Sequence, residues 1–409
     1  MRNLKIESYT LGLAAAGLVT LSPALLAQTT NAPAPTPTPI PVLTALSATT
    51  ISGYVDTSAV WNPGTGNSHP APFAFNAGKQ DGFNLDSLDV AIAKPQDETG
   101  WSAGYRAEIM LGPDGSIVDS GAYPIRQAFI ALHMPVGNGI DWQLGRWDNI
   151  LGYESSDDYK NPNWSRSYAY TFEPTEHTGL LGTYSITSAI SLQAGVADTV
   201  TTLGVNIRTT GTPITAVESK KSLISLLTLT APDSWGSFKG SALYAGFDYG
   251  QGAPQNDVAG PGVIHPGKDK KEIYVGTTIN TPVTGLTFGA AWDSIFHNEI
   301  GGEDYSYFQA IAGYASYKAT DKLTLIARGE YADGEGLQVI SGSGMDEVLA
   351  LTGTLQYDLW ANVISRLEFR WDHSAKGGEA FGGAGAAGSP SLPDKKNDVL
   401  VAANLIYKF

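Results

Sequence analysis

From Thr49 to Phe409, apolar and polar residues alternate with a period of two, and this alternation restricts the chain to strands. In TGWSAGYRAEIML, Trp101, Tyr105 and Ile109 fall on one face, and Arg106 and Glu108 fall on the other. A period of two is the repeat of a β-strand, whereas an α-helix repeats every 3.6 residues. Half-apolar strands of this kind occur in soluble sandwiches and in membrane barrels, so the links between them decide the class.

The alternating segments form a series of about sixteen strands, an even number that is typical of bacterial outer-membrane barrels. They are predicted near 49–61, 82–94, 100–111, 124–134, 139–148, 178–187, 189–198, 220–231, 236–249, 271–281, 285–297, 304–318, 321–333, 346–358, 361–373 and 397–409.

Short and long links alternate along this series. The short links are turns such as PVGNG and TPVTG, and the long links run over 62–81, 112–123, 149–177, 199–219, 250–270, 334–345 and 374–396, with a shorter one near 297–303. Short turns on one side and long loops on the other are the pattern of outer-membrane barrels. The sequence therefore predicts an all-β chain that forms a transmembrane antiparallel β-barrel, with short periplasmic turns and long extracellular loops.

The tryptophans and the last strand agree with this interpretation. One set of tryptophans lies beside short turns and another lies toward the long loops, as two interfacial girdles would require. The first set is Trp101, Trp142, Trp235 and Trp360, and the second is Trp61, Trp147, Trp292 and Trp371. The terminal strand, which ends at Phe409, is expected to pair with the first strand, because a closed barrel leaves no sheet edge in the membrane.

The first residues have the pattern of an export signal. Arg2 and Lys5 precede a short apolar stretch, and small residues follow before Ala27. This pattern predicts a signal peptide over 1–27, then a proline-rich periplasmic linker over 28–48 and the barrel domain over 49–409. The chain has no cysteine, so an exported protein of this sequence uses no disulfide.

The composition narrows the classes of function. The net charge of −15 argues against nucleic acid as a partner, because a phosphate-binding face needs clustered Lys and Arg. No nucleophile elbow or phosphate-binding loop is present, and Glu173, Glu176 and His177 lack the spacing of a zinc protease. We therefore predict no enzyme activity, no catalytic residues, no metal site and no cofactor.

Several strands carry charges on the face opposite the apolar one. A charge on the lipid face near the bilayer midplane costs about 2–4 kcal/mol for Arg, so these residues are expected to line the lumen. They are Arg106, Glu108, Arg126, Arg328, Glu330, Arg366, Glu368 and Arg370. Neighbouring Arg and Glu can also pair across strands as structural elements, and the alternation does not separate the two roles.

The stretch from Gly145 to Gly179 carries the only specific family motif. Its features are Gly145-Arg146, Gly152-Tyr153-Glu154, the N-W-S-R-S of 163–167, then Pro174, His177 and Gly179. This stretch, the opening strand ISGYVDTSAVW and the terminal YKF resemble the β-barrel porin-2 family, the OmpL-like porins. The resemblance implies a water-filled pore in the bacterial outer membrane for passive diffusion of small hydrophilic solutes and ions, with membrane lipid as the surrounding partner.

The third long loop, 149–177, is predicted to fold into the lumen and constrict it. We expect Glu154, Asp157 and Asp158 to face Arg106, Arg126 and Arg146, with Arg166 also at the constriction, and the net charge predicts a weak preference for cations. Homotrimers are usual for barrels of this size, although no interface can be identified from the sequence.

Two other functions stay open at this point. One is a channel selective for sugars or oligosaccharides, with an aromatic slide. Its candidate rings are Trp147, Tyr153, Tyr159, Trp164, Tyr168 and Tyr170. The other is a barrel that acts as a scaffold or adhesin, with the proline-rich segment as a contact for periplasmic partners.

Overall fold

Alternating side chains and short turns build a single sheet in this chain. The computed structural model describes residues 48–63, 69–72, 79, 81–115, 124–198, 221–251, 255–256, 264–265, 269–300, 303–335, 337, 345–383 and 392–409. The predicted signal peptide 1–27 and nearly all of the predicted linker 28–48 lie outside these residues. No helix in the described ranges is long and apolar enough to cross a membrane.

Sixteen strands make a closed antiparallel barrel in which each strand pairs with its neighbour in sequence. The strands are β1 (Thr50–Trp61), β2 (Gly82–Lys94), β3 (Ser102–Leu111), β4 (Ile125–Met134), β5 (Ile140–Asp148), β6 (Glu176–Thr187), β7 (Ile190–Ala197), β8 (Ser222–Thr230), β9 (Ala242–Gln251), β12 (Asp269–Asn280), β13 (Leu286–Ile300), β14 (Glu303–Lys318), β15 (Leu323–Gly334), β16 (Met345–Trp360), β17 (Val363–Gly377) and β18 (Asn397–Lys408). A separate two-residue hairpin, β10 (Gln255–Asn256) and β11 (Ile264–His265), lies between β9 and β12.

The barrel closes through its first and last strands. β1 pairs with β18 from Tyr54 opposite Lys408 to Trp61 opposite Val401. The backbones of Gly53 and Phe409 exchange two further hydrogen bonds of 3.0 Å. All sixteen barrel strands therefore have two neighbours, and the all-β class, the antiparallel order and the count of sixteen are confirmed.

The strand boundaries differ from the prediction in a few places. The segment 236–241 is not extended: Asp233–Phe238 forms a 3-10 helix after Pro232, and Gly236 has a φ of +58°. Strand β6 begins at Glu176, so the third long loop ends at Thr175, and Glu176 and His177 belong to the wall. Strand β13 extends to Ile300 and strand β14 begins at Glu303, so the link between them is shorter than predicted.

The two faces of the strands differ as the alternation requires. In β3, Ala107, Ile109 and Leu111 are exposed on the outer face, whereas Glu108 and Met110 are buried in the interior. In β17, Leu367 and Phe369 are likewise outside, while the charged residues beside them are inside. The outer surface of the barrel is therefore apolar. Contact of such a surface with lipid is favourable, whereas its contact with water would be unfavourable.

The tryptophan girdles are only partly present. Trp61, Trp101, Trp235 and Trp360 are between 59% and 72% exposed, near the ends of the barrel. Trp147, however, is fully buried with its ring centroid 5.1 Å from that of His177, so its assignment to a girdle was wrong. The alternation of β5 fails after Gly145, where φ is +133°, and the three following side chains are all buried.

Candidate functional site

The third long loop, residues 149–175, lies inside the barrel and packs against its wall on both sides. One apolar cluster joins Ile150, Leu151 and Tyr153 to side chains of β4–β9 and β12–β14. Another joins Trp164, Tyr168 and Phe172 to side chains of β1, of β13–β16 and of β18. A short helix, α1 (Tyr168–Phe172), is capped by Ser167, whose side chain accepts a hydrogen bond from the Tyr170 N–H.

The start of the loop fits against positions where the wall has no side chain. A Cβ atom on Gly289 of β13 would lie 2.0 Å from the Tyr153 hydroxyl oxygen, so only glycine leaves room for this ring. The ring of Tyr153 stacks on Tyr314 of β14, with the centroids 4.1 Å apart. A Cβ atom on Gly246 of β9 would similarly meet Leu151 at 2.5 Å. The shape of the wall therefore helps to determine where the loop backbone lies.

The three acids of the loop make direct ion pairs. Glu154 lies 2.8 Å from Arg328 of β15, and Asp158 lies 2.6 Å from Arg166 within the loop. Asp157 pairs with Arg126 of β4 and also with Lys160. The predicted acids thus contact arginines instead of facing them across open solvent, and the partner of Glu154 is on the opposite side of β1 from the arginines that the sequence suggested.

The other two arginines that were expected to face the loop have partners in the wall. Arg106 pairs with Glu108 of its own strand at 2.6 Å. Arg146 lies 3.6 Å from Glu176 of β6 and donates a hydrogen bond to the Arg126 carbonyl.

Arg126 is the centre of the largest charged cluster. Its guanidinium contacts Glu108 and Asp157 most closely and lies within 4 Å of three further carboxylates, those of Asp148, Asp89 and Glu176. The carboxylate oxygens of Asp89, Glu108 and Asp157 also lie within 4.8 Å of one another. Arg126 therefore places a positive charge beside all three of these carboxylates.

The residues predicted to line the lumen on β15 and β17 bind the backbone of the loop. Arg366 donates to the carbonyls of Asp158 and Asn161 at 3.0 and 2.7 Å. Glu368 accepts hydrogen bonds from the N–H groups of Trp164 and Ser165 at 2.6 and 2.9 Å.

Three more wall residues bind the same part of the loop. Arg328 and Arg370 donate to the Arg166 carbonyl at 3.2 and 2.7 Å, and Glu330 accepts from the Tyr168 N–H at 2.7 Å. Each of these side chains is buried. The inward charges therefore hold the loop by its main chain, which makes its position less dependent on the identity of the loop side chains.

Some contact residues were not singled out from the sequence. Asp372 accepts from the Tyr168 hydroxyl at 2.9 Å, Asp86 accepts from the Trp164 indole N–H at 3.0 Å, and Thr354 accepts from the Asn163 amide at 2.7 Å. All three occupy inward positions of their strands, so the alternation places them in the lumen. It does not indicate which part of the loop they meet.

The aromatic residues proposed for a sugar slide are mostly not available to a solute. Trp147, Tyr153, Trp164, Tyr168 and Tyr170 are at most 5% exposed and pack against the wall. The residues considered for a metal site also have other roles, since Glu176 lies near Arg146, and His177 lies 3.5 Å from Asp248 of β9.

The loop carboxylates are held in their charged form. Burial by itself raises the pKa of Glu154, but the Arg328 guanidinium and the Ser167 N–H outweigh it and keep that pKa below its usual value. The pKa of Asp158 is also lowered, because Arg166 and Lys79 outweigh burial. These ion pairs consequently persist at pH values where exposed carboxylates begin to protonate.

The lowered pKa of Glu154 predicts how stability depends on pH. A group with a lowered folded-state pKa stabilises the fold fully above its unfolded-state pKa, and this contribution is lost as the pH falls through the folded-state value. We expect the difference in free energy of unfolding between wild type and Glu154→Gln to stay constant from neutral pH down to the ordinary glutamate pKa of 4.5 and to shrink below it. Urea unfolding in detergent micelles at a series of pH values measures this difference.

A matched control is Glu98→Gln, because Glu98 is exposed in the β2–β3 turn. We expect little difference from wild type at any pH, as is usual for exposed charges. A Glu154→Gln difference that already declines near neutral pH would contradict the assignment of Glu154 as an ion-paired carboxylate.

Comparison with known proteins identifies the family. The family model described as "Putative beta-barrel porin-2, OmpL-like" matches residues 48–409. The chain belongs to this family. The predicted family, fold class and bacterial outer-membrane location are confirmed, and the porin family assigns the chain to the passive diffusion channels. Among curated proteins, no sequence matches the chain.

Solved structures of other outer-membrane proteins share the architecture at low sequence identity. The outer-membrane channel DcaP of Acinetobacter baumannii is 12% identical, with a TM-score of 0.56 over 88% of this chain and 97% of that one. An anion-selective porin from Comamonas acidovorans is 13% identical, with a TM-score of 0.55 over 88% and 99%. The trimer form of OmpT from Vibrio cholerae is 12% identical, with a TM-score of 0.55 over the same shares. At such identities the likeness concerns the fold of the barrel.

Proposed function

We propose that the porin conducts small hydrophilic solutes and ions and that the loop 149–175 is its constriction. The observation that supports this proposal is the anchoring of the loop across the interior by buried ion pairs and backbone hydrogen bonds. A barrel of sixteen strands is wide enough for an aqueous channel, so an ordered segment inside it determines the width that remains. The residues Glu154, Asp157, Asp158, Arg126 and Arg166 belong to this constriction because they hold the loop in place.

We assign no enzymatic role to the chain. The buried carboxylates and His177 have partners in the wall and loop that account for their positions. The signal peptide at 1–27 and the linker at 28–48 complete the proposal, since a barrel of the outer membrane has to be exported. We further propose a homotrimer, the form in which the structurally similar OmpT of Vibrio cholerae has been solved.

The proposed channel prefers cations weakly. The net charge is −15, and the inward acids Asp248 of β9, Glu272 of β12 and Asp293 of β13 outnumber Lys270, the buried basic residue described on the same strands. In a planar bilayer under a KCl gradient, we expect the sign of the reversal potential to show selectivity for K⁺ over Cl⁻. We expect Asp248→Asn to reduce the magnitude of this reversal potential.

Asp233→Asn, on an exposed turn at the opposite end of the barrel, is the matched control and should leave the reversal potential unchanged. Anion selectivity of the wild type would contradict the proposed preference. A purified, folded protein that conducts no current at all would contradict the channel itself and favour a scaffold or adhesin.

A further inference from the structure

Three glycines on the outer face of the barrel have no structural reason within their own chain. They are Gly313 of β14, Gly329 of β15 and Gly353 of β16. At every other glycine of the described strands, either φ is positive or a Cβ atom would lie less than 3.0 Å from another atom of the chain. At Gly313 and Gly353 a Cβ atom would meet nothing within 4 Å, and at Gly329 it would meet only Leu351, at 3.6 Å. Because glycine weakens a strand, such positions indicate that another molecule approaches the backbone closely.

The register of the strands brings the three glycines together. Gly313 lies directly opposite Gly329, and Ala327 lies opposite Gly353. With neighbouring alanines they form the floor of a groove of about 540 Å³, which we call the glycine groove. Its floor consists of Gly313, Ala315, Ala327, Gly329 and Gly353, and its edges consist of Phe288, Leu351 and Phe369. The three edge side chains are exposed, so the groove opens on the outer surface and not into the lumen.

The glycine groove lies within the apolar band of the barrel. On β14, the exposed rings of Tyr307 and Tyr317 lie on either side of Gly313, toward the two ends of the strand. Tyrosines in such positions mark the two interfaces of a bilayer. Protein surfaces that associate inside a bilayer depend on close van der Waals packing, and small residues let two backbones approach. A flexible acyl chain adapts to large side chains equally well and does not require the three glycines.

The geometry of a three-fold assembly indicates which surface fills the groove. In a ring of three cylinders, the two contact lines on each cylinder lie about 60° apart, which is about three strands of a sixteen-strand barrel. Counted from the floor on β14 and β15, that distance leads to β17 on one side and to β12 on the other. On β17, Leu367 and Phe369 are 52% and 51% exposed. On β12, Ile273 and Val275 are 40% and 38% exposed, so β17 has the more prominent ridge.

The groove and this ridge lie at the same depth in the membrane. Gly313 precedes Lys318, the short-turn end of β14, by nearly the same distance as Leu367 follows Val363, the short-turn end of β17. Rotation about an axis along the membrane normal keeps the depth of each residue, so the ridge of one protomer can meet the groove of the next.

We propose that the glycine groove is the subunit interface of a homotrimer and that it receives Leu367 and Phe369 from the next protomer. This inference rests on the homotrimer proposed above and adds the surfaces that form it. Each protomer offers one groove and one ridge, which is a heterologous contact that closes after three copies.

The mass of the protein in detergent solution tests the groove. Gly313→Leu fills the floor without a clash at its own Cβ position. We expect wild type to be trimeric, and we expect Gly313→Leu to raise the protein concentration at which half of the chains are trimeric about tenfold or more, the effect of overpacking an interface. Light scattering after gel filtration over a series of concentrations measures this change. Ala107→Leu, on the exposed outer face of β3 on the far side of the barrel, is the matched control and should leave the mass unchanged.

Cross-linking in membranes tests the partner surface and does not require a stable trimer in detergent. The chain has no cysteine of its own, so the double variant Gly313→Cys, Leu367→Cys carries only the two introduced thiols. Within one barrel, β14 and β17 lie about 14 Å apart, beyond the Cα separation of about 7 Å that a disulfide can span. We expect oxidation with copper–phenanthroline to give covalent dimers and trimers of the double variant and only monomers of either single variant.

The outcomes separate the interface from the proposals on which it rests. A wild type that is monomeric in detergent, with no cross-linking of the double variant in membranes, overturns both the homotrimer and its interface. A trimer that Gly313→Leu leaves intact and the double variant does not cross-link overturns the interface alone. Covalent dimers of the single variant Gly313→Cys indicate a two-fold contact and also overturn it. Single-channel conductance of the same samples reports on the proposed channel independently of these results.

Discussion

Deletion of residues 154–165 is expected to raise the single-channel conductance several-fold. This part of the loop holds Glu154, Asp157 and Asp158 and the backbone groups bound by Arg366 and Glu368. Its removal leaves the inward side chains of β15–β17 uncovered, so the open cross-section grows on that side. Planar-bilayer recording of the purified variant measures the change directly.

A replacement of the same twelve positions by glycine and serine separates volume from anchoring. It retains the length of the loop but removes the side chains and preferred geometry that bind it, so we expect a noisy current of intermediate size. A folded deletion variant with the conductance of wild type would show that this segment does not constrict the channel.

Substitution of Arg328 is expected to destabilise the barrel more than that of any exposed charge. Arg328 is 1% exposed, pairs with Glu154 and Glu330, and donates to the carbonyls of Ser165 and Arg166. Arg328→Met retains much of the side-chain volume but leaves two buried carboxylates without this partner. Breaking a buried ion pair in this way costs about 3–5 kcal/mol. Urea unfolding in detergent micelles, followed by tryptophan fluorescence, measures the loss.

Lys376→Met provides the comparison, because Lys376 forms an ion pair with Glu347 in which the lysine side chain is 66% exposed. Exposed pairs of this kind contribute at most about 1 kcal/mol. The Glu154→Gln, Arg328→Met double variant should be less destabilised than the sum of the single variants, since the two groups lose the same contact. Equal effects of Arg328→Met and Lys376→Met would contradict the role of Arg328 as an anchor.

The strands of this protein could be predicted from the sequence because their signal is local. The alternation of Arg106 and Glu108 with Ala107 and Ile109 repeats within a few residues, and the cost of a charge in lipid gives each face one allowed direction. The prediction failed where the backbone departs from an ideal strand. At Gly145 and Gly236 the positive φ changes the direction of the chain, and Trp147 and the start of β9 were misplaced for this reason.

In the constriction, too, the local features could be predicted from the sequence and the long-range contacts could not. Burial of the lumen residues Arg126, Arg328, Arg366 and Arg370 agrees with the alternation. The contacts of the loop could not be derived in the same way, because they depend on which strands meet across the closed barrel. Glu154 was expected to face arginines of the adjacent strands β3–β5, yet its partner Arg328 is 174 positions further along the chain.

By itself, the sequence determined a barrel of about sixteen strands, the face that most strand side chains present and the third loop as the longest interruption of the wall. These properties follow from a period of two and from the cost of polar groups in lipid, both of which act on each strand separately. Only the tertiary structure decided that the charged residues of the lumen bind the loop main chain. Closure of the sheet brings distant strands within hydrogen-bond distance of one loop, and no local pattern in the sequence contains that information.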